Sequence, residues 1–189
     1  MSEVEQLSLA QWEGAFTSDR ALPDHLYDQD IIWSEDLVLG LDVLDRDHKV
    51  LVCMIRCLLG DCDMPTQYGF DQITIHGLFT HLLSFTQFHL QREEALMAHA
   101  NYPNYLRHQQ EHQLIMREVQ NIASSYHKHP DPAIIQTLGQ KFRVWLFGHI
   151  LGDDRSFVNH VKHSGLDPKT FPPSPVQAPH FARNLDLIP

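Results

Sequence analysis

The chain has 189 residues, 43% of them apolar, and a formal net charge of −10. That is enough for one domain with a sizeable core, and an acidic chain without a basic patch is a poor candidate for nucleic acid or an anionic membrane. No run of about 18 apolar residues occurs, so no transmembrane helix is expected. The acidic N-terminus, MSEVEQLSLAQWEG, lacks the basic-then-apolar order of a secretory signal. Three cysteines, Cys53, Cys57 and Cys62, are odd in number and bunched, which is no disulfide framework and fits a reducing cytoplasm. The unusual count is histidine, at 14.

Residues 1–32 read as an N-terminal extension, with a short helix over Val4 to Phe16 broken by Pro23 and scattered aspartates. From Trp33 an apolar arm containing Gly40 leads into a first helix near Asp45. Leu44, His48, Leu51, Ile55 and Leu58 step by four and three along its seam. GDCDMPTQYG ends it. The second helix is expected from about Phe70 to Ala98, with Ile75, Leu78, Leu82, Phe85, His89, Glu93 and Leu96 on its seam. After the break at Pro103 the third carries His108, His112, Ile115, Val119, Ile122 and Tyr126. It stops at HKHPDP, where Asp131 can cap the next helix. The fourth shows Ile135, Leu138, Phe142, Trp145 and His149 and is expected to end shortly after Gly152, Asp153 and Asp154. Short connections make this an all-α, antiparallel up-down-up-down four-helix bundle over 33–158. From His160 the chain reads as an extended tail with six prolines, so 159–189 is set apart as a proline-rich tail.

Every one of the four helices places histidine on its seam: His48, His89, His108 with His112, and His149. His89 and Glu93 are four apart, as are His108 and His112, so each pair lies on one helix face. A lone seam histidine is usually a hydrogen-bonded core residue. Five of them with a core glutamate are another matter, because a buried carboxylate without partners costs several kcal/mol and each imidazole has two nitrogens to satisfy. A metal centre removes both costs. The donor set exceeds what one zinc ion takes and suits iron, manganese or zinc, with two ions sharing carboxylates. The chain has no Glu-x-x-His of the ferritin-like type and no His-Glu-x-x-His of a zinc protease. A histidine-rich, carboxylate-poor di-iron site is the reading that remains.

LDRDHKVL around His48, FHLQREEALM around His89 and Glu93, the His108-x-x-x-His112 pair and WLFGHILGDD around His149 and Asp154 resemble, in order and spacing, the hemerythrin family in its bacterial form. The likeness covers roughly Trp33 to Phe157. It implies two iron ions, cycling between Fe2+ and Fe3+, with an oxo or hydroxo bridge. His108, His112 and His149 would hold one iron, His48 and His89 the other, and Glu93 and Asp154 would bridge them. Asp154 is five residues beyond His149, about 140° round a regular helix, so it reaches the site only if the helix loosens there, which Gly152 permits. Asp153 is the alternative on the helical face. The second iron keeps an open position, and in the family dioxygen binds there. Leu51, Leu90, Trp145, Leu146 and Ile150 are the residues expected to line a dry pocket. Leu90 stands where the family often has phenylalanine, and Phe85 and Phe157 where it often has tyrosine.

The resemblance implies a dioxygen-binding protein for storage, delivery or sensing rather than an enzyme. Two alternatives stand beside it: a di-iron redox enzyme acting on peroxide or nitric oxide, and an iron- or oxygen-sensing module signalling through its tails. Dioxygen is the expected partner, no nucleic acid or membrane is expected, no protein partner is indicated, and a monomer is admissible. Nine histidines outside the set read as surface residues, with His127 and His129, or His160 and His163, as the places for a second metal site or a pH response. Cys53 and Cys57 read as small, partly buried residues, with redox sensing through Cys62 the minority reading. Glu94 reads as a surface charge or an acceptor for a ligand histidine.

Overall fold

The computed structural model describes residues 33–59 and 75–171. The expectations for residues 1–32, for Cys62 and for the tail beyond Phe171 lie outside them. Among the described residues the long elements are all helical: α1 (Asp42–Leu59), α2 (Ile75–His99), α3 (Tyr105–Lys128), α4 (Pro132–His149) and α5 (Arg155–Ser164). α1 packs against α2 and α4, α2 against α3, and α3 against α4, which closes the ring of a four-helix bundle.

The seams read from periodicity are the buried faces. Leu44, His48, Leu51, Ile55 and Leu58 are buried on α1, Leu78, Leu82, Phe85, His89, Glu93 and Leu96 on α2, and Ile115, Val119 and Ile122 on α3 beside both histidines. Ile135, Leu138 and Phe142 do the same on α4. Gly139 lets α1 come close, since a Cβ there would meet Leu59 Cδ2 at 2.6 Å. The lead into α1 is held by Asp45, whose carboxylate accepts from the amides of Leu39 at 2.8 Å and Gly40 at 2.9 Å. Gly40 has φ +81°, a turn that a side chain would strain.

Helix ends are set by local chemistry. Asp131 accepts from the Ala133 amide at 2.9 Å and Pro132 begins α4, as expected from the sequence. α2 ends in a Schellman motif: Asn101, at φ 49°, donates to the Ala98 carbonyl, and Tyr102 donates to the Met97 carbonyl. This three-dimensional turn fixes the phase in which α3 starts, and hence where His108 and His112 point.

Two expectations are corrected. The fourth helix does not end after Asp154. Ile150–Asp154 forms a π turn and α5 continues to Ser164, where Gly165 at φ 70° stops it. The expected boundary at residue 158 therefore falls inside a helix. α5 belongs to the bundle because Phe157, Val158 and Val161 are buried, Lys162 Nζ donates to the Leu39 carbonyl at 2.7 Å, and His160 Nε2 lies 3.0 Å from the Ala100 carbonyl. The second correction concerns cysteine: Cys53 is a free thiol whose pKa is pushed up by burial, but Cys57 is disulfide-bonded.

The left-handed residue at the end of α2 generates a prediction. Asn101→Ala should cost about 1 kcal/mol of stability, because a Cβ is disfavoured there and the polar side chain that eases it is lost, whereas Asn101→Gly should be at least as stable as the parent chain. Denaturant unfolding checks this, and equal stability of the alanine variant would contradict it.

Candidate metal centre

The five seam histidines, Glu93 and Asp154 meet at one point between the helices, and all seven are almost fully buried. They form two groups of potential metal donors: Glu93, His108, His112 and His149, and His48, His89 and Asp154. Among the described residues no other group of three or more histidine, cysteine, aspartate or glutamate side chains has this geometry. His127, His129, His160 and His163 therefore make no second such group.

In the first group, His149 Nε2 lies 3.1 Å from His108 Nε2 and 3.1 Å from His112 Nε2. Nitrogens bound at right angles to one metal at about 2.1 Å would be about 3.0 Å apart, so this spacing is that of a shared ion. Glu93 Oε2 is 3.3 Å from His112 Nε2, 3.8 Å from His108 Nε2 and 3.9 Å from His149 Nε2, and it is 4.0 Å from His89 Nε2 in the other group. Asp154 faces both groups. Its Oδ1 is 2.9 Å from His149 Nε2 and 3.2 Å from His108 Nε2, and its Oδ2 is 3.1 Å from His48 Nε2.

The carboxylate distances, unlike the contacts of His149 Nε2 with His108 and His112, are poor hydrogen bonds. Both oxygens of Glu93, both of Asp154 and the Nε2 atoms of His48 and His89 are buried without a properly directed partner. Donor atoms that come close yet do not point at one another point instead at common positions between them. Leaving them so would cost several kcal/mol, and cations at those positions would satisfy them. The donor set fits two imidazole- and carboxylate-liganded metal ions.

The electrostatics of the cluster say the same. Burial and the neighbouring Asp154 push Glu93 up, but His108, His112 and His149 outweigh them and hold its carboxyl at about 2. Asp154 is likewise held well below the usual carboxylate range: burial opposes ionisation, and His149, His108 and His48 overcome it. His149 goes the other way. Burial lowers it, yet Asp154 and Glu93 raise it to about 10. His112 is also raised, by Glu93 and Glu94 against burial. His89 is lowered, chiefly by burial, so the two carboxylates draw positive charge onto His112 and His149 in particular.

Asp154 reaches the cluster through the π turn. A π turn closes on the fifth residue rather than the fourth, which returns Asp154 to the face of His149. Gly152 is buried and has no left-handed φ, so its conformational freedom is not what opens the turn. His149, Ile150, Asp154 and Arg155 all keep right-handed helical angles. Asp153 points elsewhere: its carboxylate pairs with Arg107, and its Oδ2 is 3.9 Å from His149 Nδ1, on the side of the ring away from the cluster.

Of the residues expected to line a pocket, Leu51, Leu146 and Ile150 are fully buried and Leu90 nearly so. Trp145 lies flat against the His149 ring, with centroids 4.7 Å apart at 18°. Leu90 also borders a cavity of about 230 Å³ that reaches His112 and Glu94. Phe85 and Phe157 are buried in the core.

The sequence reading missed Asp47 and Arg92. Asp47 is 3% exposed, accepts from Arg92 Nη1 at 2.9 and 3.1 Å, and its Oδ2 lies 3.3 Å from His89 Nδ1. The signal was there: Asp47 sits three residues after Leu44 and four before Leu51, a carboxylate on the apolar seam.

The chain is also similar in sequence to known proteins. Residues 39–161 match the family model described as the hemerythrin HHE cation binding domain. The bacteriohemerythrin of Pseudomonas paraeruginosa is 33% identical over 134 residues, 71% of this chain and 83% of the relative. That of Stenotrophomonas maltophilia is 27% identical over 132 residues, 70% and 82% of the two chains. That of Clostridium acetobutylicum is 22% identical over 129 residues, 68% of this chain and 98% of the relative. The motif order, the bundle and these matches agree, and the chain belongs to the hemerythrin family.

Proposed function

We propose that this protein binds dioxygen reversibly at a non-haem di-iron centre, acting in storage, delivery or sensing rather than as an enzyme. The observation that carries this reading is the grouping of seven buried donors into a three-histidine and a two-histidine set, with Asp154 presenting one oxygen to each. His108, His112 and His149 would hold one iron, His48 and His89 the other, and Glu93 and Asp154 would bridge. The pair, with an oxo or hydroxo bridge, would supply an open coordination position and the electrons for holding dioxygen. The two-histidine set has one imidazole fewer, so an open position would fall on the side of His48 and His89.

The chain's own task is to keep that position dry and the donors in place. Leu51 follows His48 by one turn, Leu90 is next to His89, and Leu146 and Ile150 flank His149, all buried. Water excluded by such side chains is not available to protonate and displace a bound small molecule. Trp145 stacked on His149 blocks rotation of that ring.

Two predictions test this reading. A visible absorption band should appear when the reduced, iron-loaded protein meets air and disappear under argon, through repeated cycles. A band that decays at once to a stable oxidised spectrum would favour a redox enzyme acting on peroxide or nitric oxide, and no iron-dependent band would sink the proposal.

The second prediction concerns pH. In the metal-free protein Glu93 is depressed from 4.5 to about 2, so its contribution is present above pH 4.5 and is lost as pH falls through about 2. His149 is raised from 6.5 to about 10, so its contribution is full below pH 6.5 and is lost as pH rises through about 10. Metal-free stability should therefore fall as pH rises above 6.5, while below 6.5 His89, held under its usual range by burial, offsets part of the gain from these two groups. Metal affinity should instead rise above pH 6.5, by about tenfold per pH unit for each proton displaced. Thermal melts and chelator competition read the two curves, and curves that rise together would contradict the account.

A further inference from the structure

The cluster histidines differ in what stands behind them. His89 Nδ1 is 3.3 Å from Asp47 Oδ2, and Asp47 is buried and clamped through both oxygens by Arg92, whose guanidinium lies 4.3 Å over the Phe88 ring. His112 Nδ1 is 3.1 Å from Glu94 Oε1. Glu94 Oε2 accepts from Gln109 Nε2 at 2.8 Å, and Gln109 also donates to the Tyr105 hydroxyl at 2.9 Å. The Nδ1 atoms of His48 and His108 are buried with no hydrogen-bond partner, and His149 Nδ1 stands 3.9 Å from Asp153, beyond a hydrogen bond. One histidine in each donor group is therefore backed by a carboxylate, and only one.

We propose that Asp47 and Glu94 are paired positioning residues, one for each metal position, that fix the tautomer of His89 and His112 from behind. The inference rests on the two-metal reading above. A neutral imidazole has one ring proton to place. A carboxylate accepting from Nδ1–H keeps the proton there and turns the Nε2 lone pair toward the metal. The two supports are not equivalent. Asp47 is dry and charge-neutralised by Arg92. Glu94 is held by an amide and borders the 230 Å³ cavity that Gln87, Gln91 and Gln113 also line. The His89 support is thus built into the core, and the His112 support meets an open cavity of mixed lining.

The test is a Co2+ titration of the metal-free full chain against a competing chelator, comparing the parent with Asp47→Asn and Glu94→Gln. Each amide can turn its NH2 to the ring and release the other tautomer. Each variant should weaken one of the two Co2+ ions about 10- to 100-fold and leave the other within about threefold; the double variant should weaken both. Histidine 15N shifts of the Zn2+-loaded protein should show His89 losing its Nδ1–H tautomer only in Asp47→Asn, and His112 only in Glu94→Gln. If Asp47→Asn loses its helical circular dichroism, Arg92→Met, which leaves the carboxylate in place, should weaken the same single ion by a smaller factor. Unchanged affinities, or both ions weakened alike by one variant, would overturn the proposal while leaving the two-metal reading standing. A parent chain that takes no second Co2+ would overturn both.

Discussion

Two carboxylates and five imidazoles held in a dry interior are the constraint on which the rest of this structure depends. Apolar seams would bring four helices together in many registers, since leucine on leucine specifies little about phase. Seven donors that must share positive charge specify it closely, because a small slide or rotation of one helix leaves a buried carboxylate alone at a cost of several kcal/mol. The Schellman turn at Asn101, the Asp131 cap and the Asp45 bracket around Gly40 each set where a helix starts. In doing so they set which way His108, His149 and His48 face.

The π turn is where backbone regularity yields to this constraint. An α-helix through Ile150–Asp154 would carry Asp154 off the face of His149. Closing the turn on the fifth residue instead brings Asp154 between the two donor groups and leaves Asp153 outside to pair with Arg107. The same turn lets the chain go on as α5, so the element that completes the site also buries Phe157, Val158 and Val161. Local departure from α geometry at a functional site is a recurrent pattern, and here its purpose is visible in the distances of Asp154 Oδ1 and Oδ2.

Much of this was legible in the sequence. Histidine and glutamate at positions where the heptad asks for leucine pointed to the cluster, and periodicity alone gave the buried faces of α1 to α4. The need for a loosened helix before Asp154 was legible as a geometric demand, but its form was not: the turn is built from right-handed backbone angles with no use of the freedom of Gly152. The end of the fourth helix was misread because Gly-Asp-Asp resembles a terminator. What overrides it is burial of Phe157 and Val161 and the reach of Lys162 to Leu39, and the helical spacing of Phe157, Val158 and Val161 was a local signal left unread. The disulfide at Cys57 was hidden for a different reason, since spacing does not report pairing. Asp47 was legible and overlooked, as a carboxylate beside a more conspicuous histidine.

The central claim is that two iron ions occupy the two donor groups and share Glu93 and Asp154. Anomalous diffraction at the iron edge from crystals of the iron-loaded protein tests it most directly. The account predicts two peaks, one bounded by Nε2 of His108, His112 and His149 and the other by Nε2 of His48 and His89, with Asp154 reaching both. A single peak, or a pair in which Asp153 rather than Asp154 faces the metal, would contradict it.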